Sequence, residues 1–478
     1  MNKPHKSISE GSSWRAFQAE LKRSQKNARS KAFMAKNLKF MGVLPFIVFA
    51  VYGIIAGLNY ANSYFRENAP KAVPIAKNEK QPKPSPSINK KDIQAILEGH
   101  QFLNLEKSNF DLLYENRSLT IQTSIDTTLQ HYLTKKLDRK HSRHIGIVAL
   151  DPSDGRILAM AGFDKSDPSN NPCVDSSFPA ASIFKIVAAA AAMDKCDLEP
   201  DSILQYNGRK HTLYKSQLKT KVTKYTNHIS LKDSFAQSVN PIFGKLGTIY
   251  LGKEALKTYA EAFGFNRDID FELSLPVSRF EISDEPYQWA EIASGFNRQT
   301  RISPLHGALI AATILNQGKL IEPTIVDRIT DEKGQELYHN QPETIDQVIA
   351  PATSTAVHEL MKATVKSGTA RREFRRYSRD KILSKLEIGG KTGSINNQTN
   401  EARFDWFVGY AVDKETGSQI AVAVVVAHEK FIGTRASTYA RLTIREYYKN
   451  YFAKAQKPPS TPSPAHARVS VDSKSSGF

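Results

Sequence analysis

Cysteine is nearly absent from this chain, which has only Cys173 and Cys196 among its 478 residues. No cluster of His and Cys has the spacing of metal ligands, so the sequence predicts neither a metal site nor another cofactor. No internal repeat is present, which excludes a repeat architecture. These absences leave a chain that must fold around an ordinary hydrophobic core and do its chemistry with side chains alone.

An excess of charge is also missing from the body of the chain, although the formal net charge is +18. Residues 1–39, 66–91 and 454–478 carry +8, +5 and +3, so about +2 remains for residues 92–453. A nucleic-acid-binding domain is expected to concentrate basic residues on its folded surface. The nearly neutral body therefore argues against nucleic acid as a partner.

Charged residues are absent altogether from residues 40–65. Residues 40–58 are apolar apart from Gly, Pro45 and Tyr52, and a run of this length spans a bilayer. The basic segment 1–39 precedes it, so the positive-inside rule places the N-terminus in the cytoplasm and the rest of the chain outside. We expect a transmembrane helix at residues 40–60, anchored in the lipid bilayer of the cytoplasmic membrane.

The remaining boundaries follow from composition. Residues 61–118 are expected to form an extracytoplasmic linker and a short pre-domain, residues 119–453 one folded domain, and residues 454–478 a disordered Pro/Ser-rich tail. In an oxidising compartment Cys173 and Cys196 could form a disulfide that clips the flanks of the segment between them. Two separate reduced thiols are the alternative.

Three short motifs stand in one order along this domain: Ser182-Ile183-Phe184-Lys185, Ser238-Val239-Asn240 and Lys391-Thr392-Gly393. Each pattern has decoys elsewhere in the chain, so local context must choose among them. Only Ser182 opens a strongly helical apolar run, and residues three apart on a helix share a face. A helix that starts near Ser182 would therefore place Lys185 beside the serine hydroxyl.

The third motif lies in a different kind of segment. β-branched and aromatic runs follow it at residues 404–412 and 419–426, with short connections that favour an antiparallel meander. Lys391 is thus predicted on a strand at the edge of this meander. The near copy Lys366-Ser367-Gly368 ends a helical pattern and is interpreted as a surface helix end.

The order of elements predicts the fold class. Two early strands, helices in the middle and three late strands indicate an α/β (α+β) fold with one antiparallel five-stranded sheet flanked by helices. The early strands would have to join the late meander to form a single core. The apolar helix after Ser182 would then pack beneath that sheet.

With these motifs in place, residues 119–452 resemble the transpeptidase domain of penicillin-binding proteins. Further stretches are similar to that family, among them Ile302-Ser303-Pro304-Leu305 and Trp406-Phe407-Val408-Gly409. Ser394 follows the third motif where the family commonly has Thr, which preserves a hydroxyl. The residues before 119 leave no room for a glycosyltransferase domain, so the chain resembles a monofunctional member that works beside a separate glycosyltransferase.

The resemblance implies a D,D-transpeptidase that cross-links peptidoglycan stem peptides ending in D-Ala-D-Ala and is inhibited by β-lactams. Ser182 would be the nucleophile, and Lys185 its base if burial and Lys391 keep it neutral. Ser238 would relay a proton to the leaving amine, and Asn240 would hold Lys185 and the substrate amide. Substrate binding is assigned to Lys391, Thr392, Gly393 and Ser394, and the backbone N–H groups of Ser182 and Ser394 would stabilise the oxyanion.

Four other functions are compatible with the same sequence features. Water as the acceptor would make the protein a D,D-carboxypeptidase. A membrane-tethered β-lactamase or a β-lactam sensor would share the fold, but the E-x-x-x-N match at Glu336/Asn340 lies in a turn-like stretch and is interpreted as chance. A non-catalytic cell-wall scaffold is the fourth. Labelling with a fluorescent penicillin separates that scaffold from the enzymes.

Overall fold

The structure, a computed structural model, describes residues 88–455. Its helices are α1 (Lys90–Leu97), α2 (Thr127–Lys136), α3 (Lys185–Cys196), α4 (Leu231–Ala236), α5 (Asn240–Lys245), α6 (Gly252–Ala262), α7 (Pro286–Ser294), α8 (Pro304–Leu315), α9 (Pro351–Lys366) and α10 (Ala436–Ala455). Its longer strands are β1 (Asn109–Tyr114), β2 (Arg117–Thr123), β3 (Ser142–Leu150), β4 (Ile157–Asp164), β10 (Val326–Asp331), β13 (Leu386–Asn396), β14 (Arg403–Asp413) and β15 (Gln419–His428). Shorter strands are β5 (Phe178–Pro179), β6 (Ile203–Tyr206), β7 (Asn227–Ser230), β8 (Arg301–Ile302), β9 (Lys319–Ile321), β11 (Glu336–His339) and β12 (Thr344–Gln347).

The central feature is a five-stranded antiparallel sheet in the order β13-β14-β15-β3-β4. The late meander and the two early strands are thus joined through β15 and β3, as the sequence predicted. Alternate residues of a strand face opposite sides of a sheet, and Val148 and Ile147 accordingly belong to two different hydrophobic clusters. Because both faces are covered, these strands appear in the sequence as continuous apolar runs.

One prediction about packing is wrong. The helix that covers the sheet from the side of the Ser182 motif is α8, which contacts β3, β14 and β15, whereas α3 packs chiefly among α5, α6, α7 and α9. Both helices are apolar all round, so hydrophobicity alone did not distinguish them. Ser303 caps α8 by accepting a hydrogen bond from the backbone N of His306, and Pro304 occupies the first turn.

The folded unit begins earlier than residue 119. Helix α1 and the β1–β2 hairpin precede or straddle that position, and β2 continues a second antiparallel sheet in the order β1-β2-β10-β11. Ile93 and Leu112 lie in the same hydrophobic cluster as the helices around α3. The expected short pre-domain is therefore part of the core from α1 onward, because its apolar side chains are buried there.

Three predicted segments lie wholly or almost wholly outside the described residues: the basic tail 1–39, the membrane span 40–60 and the C-terminal tail 454–478, of which α10 includes the first two residues. Within residues 88–455, no helix is both long enough and apolar enough to cross a membrane.

The disulfide considered for Cys173 and Cys196 is not formed; both cysteines are free. Cys173 lies under the sheet with its Sγ 3.5 Å from the carbonyl oxygens of Ile147 and Ala161. Cys196 ends α3, and its Sγ lies 3.4 Å from the carbonyl oxygen of Tyr250. The two thiols thus occupy separate surroundings, and burial raises the pKa of Cys173 to about 12, which keeps it protonated.

Candidate active site

Ser182 lies in a single 3-10 turn, Ala181–Phe184, that leads directly into α3. The turn is entered through Ala181 with a φ of +48°, a left-handed conformation that is uncommon for any residue but glycine. Gly295, just after α7, makes this possible, because a Cβ there would collide with the carbonyl of Ala181. The serine is thus presented at a strained junction rather than on a regular helix.

Lys185 is fully buried and makes three polar contacts. Its Nζ lies 2.8 Å from Ser182 Oγ and 2.8 Å from Asn240 Oδ1, and it also donates to the carbonyl oxygen of Ser294 at 2.5 Å. The i, i+3 spacing predicted from the sequence therefore brings the amine to the hydroxyl. Asn240 and Ser294 offer acceptors only, which leaves the serine as the one partner that can exchange a proton with this amine.

Burial, followed by the charge of Lys391, holds the pKa of Lys185 well below its usual range. Burial lowers the pKa of Lys391 to about 7. Because the electrostatic effect is added to burial for Lys185, we expect Lys185 to lose its proton before Lys391. The site can thus hold one neutral amine and one ammonium at the same time.

Ser238 connects the two lysines. Its Oγ donates to Ser182 Oγ at 3.1 Å and accepts from Lys391 Nζ at 3.1 Å. Ser238 has a φ of +54°, which turns the chain sharply between α4 and α5 and aims the hydroxyl at the other motifs. Asn240 begins α5, and its amide nitrogen donates to the carbonyl oxygen of His211 at 3.1 Å. The amide oxygen of Asn240 is thereby directed at Lys185.

The third motif lies on β13, an edge strand of the large sheet, as predicted. Gly393 allows a close approach, because a Cβ there would lie 3.3 Å from both the backbone N of Ser182 and the Cβ of Ala181, and these neighbours would have to shift slightly. The hydroxyl of Thr392 shares a hydrogen bond with that of Thr369 at 2.5 Å. The hydroxyl of Ser394 donates to Asp405 Oδ1 at 3.1 Å. The near copy of the motif at Lys366 is an exposed helix end, as interpreted from the sequence.

These residues line a cavity of about 660 Å³ that holds Ser182, Ser238, Asn240 and residues 392–394 together. Its other charged side chains are four arginines and two carboxylates: Arg298, Arg372, Arg403, Arg435, Glu373 and Asp405. The excess of positive charge suits an anionic ligand. Among the described residues, no group of His, Cys, Asp or Glu is arranged to hold a metal ion.

The structure brings all eight sequence-predicted site residues together, and it adds four that the motifs did not reveal. The carbonyls of Ser294 and His211 act through the backbone, which leaves no signal in side-chain type. Thr369 follows α9 in a basic loop without a motif. Asp405 did carry a signal, because a lone carboxylate in an apolar strand such as 404–412 must find partners to be buried.

Similarity to known protein families and sequences agrees with this geometry. The profile of the penicillin binding protein transpeptidase domain matches residues 145–447. Peptidoglycan D,D-transpeptidase PbpA of Mycolicibacterium smegmatis is 25% identical over 59% of this chain and 61% of its own length. Stage V sporulation protein D of Bacillus subtilis is 25% identical over 64% of this chain and 49% of its own length.

A solved structure gives the same fold. Penicillin-binding protein A from M. tuberculosis, as a ceftriaxone acyl-enzyme complex, superimposes with a TM-score of 0.57 and 20% identity, covering 69% of this chain and 79% of that chain. The chain spans about half to three fifths of the length of the two curated relatives, so the comparison concerns their shared domain. With the profile covering more than half of its residues, the chain belongs to the penicillin binding protein transpeptidase domain family.

Proposed function

We propose that this protein is a D,D-transpeptidase that forms peptide cross-links in peptidoglycan through an acyl-serine intermediate. The observation that supports it best is one continuous path of polar contacts from Lys185 through Ser182 and Ser238 to Lys391. A nucleophile, a base that can be neutral and a second proton donor are the groups that acyl transfer needs. In this chain each group on that path lies no more than 3.1 Å from the next.

Acylation begins at the contact between Lys185 and Ser182. The neutral amine donates its two protons to Asn240 and Ser294, so its lone pair is left for the serine O–H. Ser182 Oγ then attacks the carbonyl carbon between the two D-Ala residues while its proton passes to Lys185. The backbone N–H groups of Ser182 and Ser394 stabilise the oxyanion, a role carried over from the family.

Expulsion of the terminal D-Ala requires a proton on its nitrogen. Ser238 is placed to give its proton to that nitrogen and to take another from Lys391, which lies 3.1 Å away. A pKa of about 7 lets Lys391 serve as an ammonium near neutral pH. The C–N bond breaks, and the donor strand is left as an ester on Ser182.

The second half of the reaction needs an acceptor amine from another strand. The proton taken up by Lys185 first passes to the neutral amine of Lys391, which restores both lysines to their starting states. Lys185 then takes a proton from the acceptor amine as that amine attacks the ester carbonyl, and it returns the proton to the Ser182 oxygen as the ester C–O bond breaks and the new peptide bond remains. Water as acceptor would give a carboxypeptidase. The carboxylates that line the cavity are already engaged, Asp405 by Ser394 and Glu373 by Arg435, which supports slow hydrolysis of the ester.

Product analysis tests this proposal. The full-length protein in detergent is incubated with a D-Ala-D-Ala stem peptide and an added acceptor amine, and the products are separated by mass. We expect cross-linked product with wild type and none with Ser182→Ala. Release of D-Ala without cross-linking would replace the transpeptidase by a carboxypeptidase.

Inhibition by β-lactams is part of the same proposal. A β-lactam carbonyl acylates the nucleophilic serine in place of the peptide, and the leaving nitrogen stays tethered to the adduct. The solved relative from M. tuberculosis is an acyl-enzyme with such a drug, which supports Ser182 as the acylated residue here.

The site would act outside the cytoplasmic membrane, with residues 1–39 inside, residues 40–60 spanning the bilayer and residues 61–89 as a linker to the catalytic body. The uncharged run that follows a segment of net charge +8 supports this topology. A separate glycosyltransferase would supply glycan strands. Protease digestion of intact cells after outer-membrane or wall permeabilisation tests the topology: the catalytic body should be cleaved while residues 1–39 stay protected.

A further inference from the structure

Asp405 is a buried carboxylate near the start of an otherwise largely apolar strand. It lies on β14 between Phe404 and Trp406, directly opposite Ser394 on β13. Its side chain is 7% exposed and forms part of the wall of the active-site cavity. A buried charge requires partners, so its contacts show what it does.

Both carboxylate oxygens of Asp405 accept hydrogen bonds. Oδ1 accepts from the hydroxyl of Ser394 at 3.1 Å, and Oδ2 accepts from the backbone N of Ala436 at 3.0 Å. Ala436 is the first residue of α10, a helix of 20 residues, so the positive end of the helix dipole faces the carboxylate.

Two further basic side chains lie near the carboxylate, both beyond hydrogen-bond distance. Arg435 Nη1 lies 3.9 Å from Oδ1, and the same guanidinium reaches Glu373 at 3.8 Å, so its charge is shared between two acids. His428 is buried with Nε2 at 3.8 Å from Oδ2. The other ring nitrogen of His428, Nδ1, accepts from the backbone N of Gly433 at 3.3 Å, so the proton lies on Nε2, the nitrogen nearer to Asp405.

This arrangement fixes the direction of the Ser394 hydroxyl. A hydroxyl has one proton to donate, and that of Ser394 is directed at Asp405. The oxygen of Ser394 then offers only its lone pairs to a ligand in the cavity, so it can accept a hydrogen bond but not donate one. A carboxylate ligand also offers acceptors only, so the two cannot hydrogen-bond while the contact with Asp405 lasts.

We propose that Asp405 is a specificity-determining residue, which makes the Ser394 end of the cavity an acceptor site. Groups with N–H donors, such as a carboxamide or an ammonium, are favoured beside Ser394, and a bare carboxylate there is disfavoured. The inference rests on the proposed function and refines it: the family role of Ser394 as a donor to the terminal carboxylate is suppressed in this chain. A substrate carboxylate would instead depend on Thr392 and Lys391.

The variant Asp405→Asn reverses this polarity with little change of shape. The amide oxygen keeps the hydrogen bond from the backbone N–H of Ala436, so the NH₂ group turns to Ser394 and donates to its oxygen. The serine proton is then free to point into the cavity. Asp413→Asn is the matched control, because Asp413 is also buried on β14 but binds the turn at Thr416, away from the cavity.

The experiment measures acylation rate constants of the full-length protein with penicillin G and with its methyl ester. We expect Asp405→Asn to raise the acid-to-ester ratio about tenfold, the effect of one hydrogen bond to a charged group. This increase in the acid-to-ester ratio should disappear in the double variant Asp405→Asn/Ser394→Ala. Asp413→Asn should keep the wild-type ratio. Asp405→Ser, smaller and uncharged, is expected to shift the ratio in the same direction if the amide variant does not fold.

An unchanged or lower ratio in a folded Asp405 variant would overturn this inference and leave the proposed function intact. A wild type that neither compound acylates at Ser182 would overturn both. The two failures are therefore distinguishable in one data set.

Discussion

The amine of Lys185 lies 2.8 Å from the hydroxyl oxygen of Ser182, and its other two contacts are both to acceptors. An ammonium could satisfy all three contacts by donating, but a neutral amine satisfies them as well if the serine donates. Burial and Lys391 favour the neutral form. The geometry is thus that of a serine held next to its base.

Replacing the base should stop acylation. Lys185→Met keeps the length and apolar stem of the side chain but removes the proton acceptor, and we expect acylation by penicillin to fall roughly 10²–10⁴-fold. Stopped-flow or quenched labelling measures the rate. Lys195→Met, an exposed lysine in the last turn of the same helix, is the control and should acylate as wild type does. Wild-type rates in Lys185→Met would contradict the assignment.

The pH profile of acylation should be bell-shaped. Lys185 must be neutral to accept a proton, and because its pKa is lowered by burial and by Lys391, activity is lost only toward acid pH. Lys391 must be protonated to donate through Ser238, and its pKa of about 7 sets the decline on the alkaline side. Rate constants measured from pH 5 to 10 test this. A rate that rises steadily above pH 8 would show that Lys391 is not the donor.

Gly295 should be needed for both stability and acylation, whereas a glycine at which a Cβ would meet no neighbour should affect stability alone. Gly295 and Gly417 both have positive φ, +65° and +74°. A Cβ at Gly417 meets nothing, so Gly417→Ala should lower stability by about 1 kcal/mol through backbone strain alone.

Gly295→Ala adds a collision with Ala181 and the backbone N of Ser182, so both stability and acylation should fall further. Thermal unfolding and penicillin labelling of the two variants make the comparison. Equal acylation by Gly295→Ala and Gly417→Ala would mean that the junction before Ser182 does not depend on this close approach.

His306 should make the protein sensitive to acid. It is buried on α8 with Nε2 2.7 Å from the carbonyl oxygen of Phe263, and burial lowers its pKa to about 4 from an ordinary 6.5. Between those values the unfolded chain binds more protons than the folded one, so stability falls as pH drops from 6.5 to 4. The loss from this residue is about 3 kcal/mol.

Denaturant unfolding at several pH values checks the effect. His306→Asn keeps an N–H donor but does not titrate in this range, so its free energy of unfolding should depend less steeply on pH between 6.5 and 4. An identical slope in wild type and variant would assign the acid sensitivity to other groups.

Much of this site was accessible from the sequence because its signals are local. The spacing of Ser182 and Lys185 and the strand at Lys391 each depend on a few neighbouring residues. That the two early strands join the late meander in one sheet followed from the need for one core.

What the sequence did not predict depends on pairing between distant residues. The contact of Ser394 with Asp405 is set by strand register, and a shift of one residue would abolish it. The β1–β2 hairpin was missed because its strands are half exposed and weakly apolar. Helix α3 was wrongly expected beneath the sheet, where α8 lies, because both helices are apolar on every face and periodicity gave no preferred side.

Covalent labelling of Ser182 tests the central claim most directly. The full-length protein is treated with a fluorescent penicillin, and the modified residue is located by peptide mass mapping. We predict one adduct, on Ser182, that persists long after free penicillin is removed, and none in Ser182→Ala. An adduct on another residue, labelling of Ser182→Ala or a wild type that does not label would contradict it.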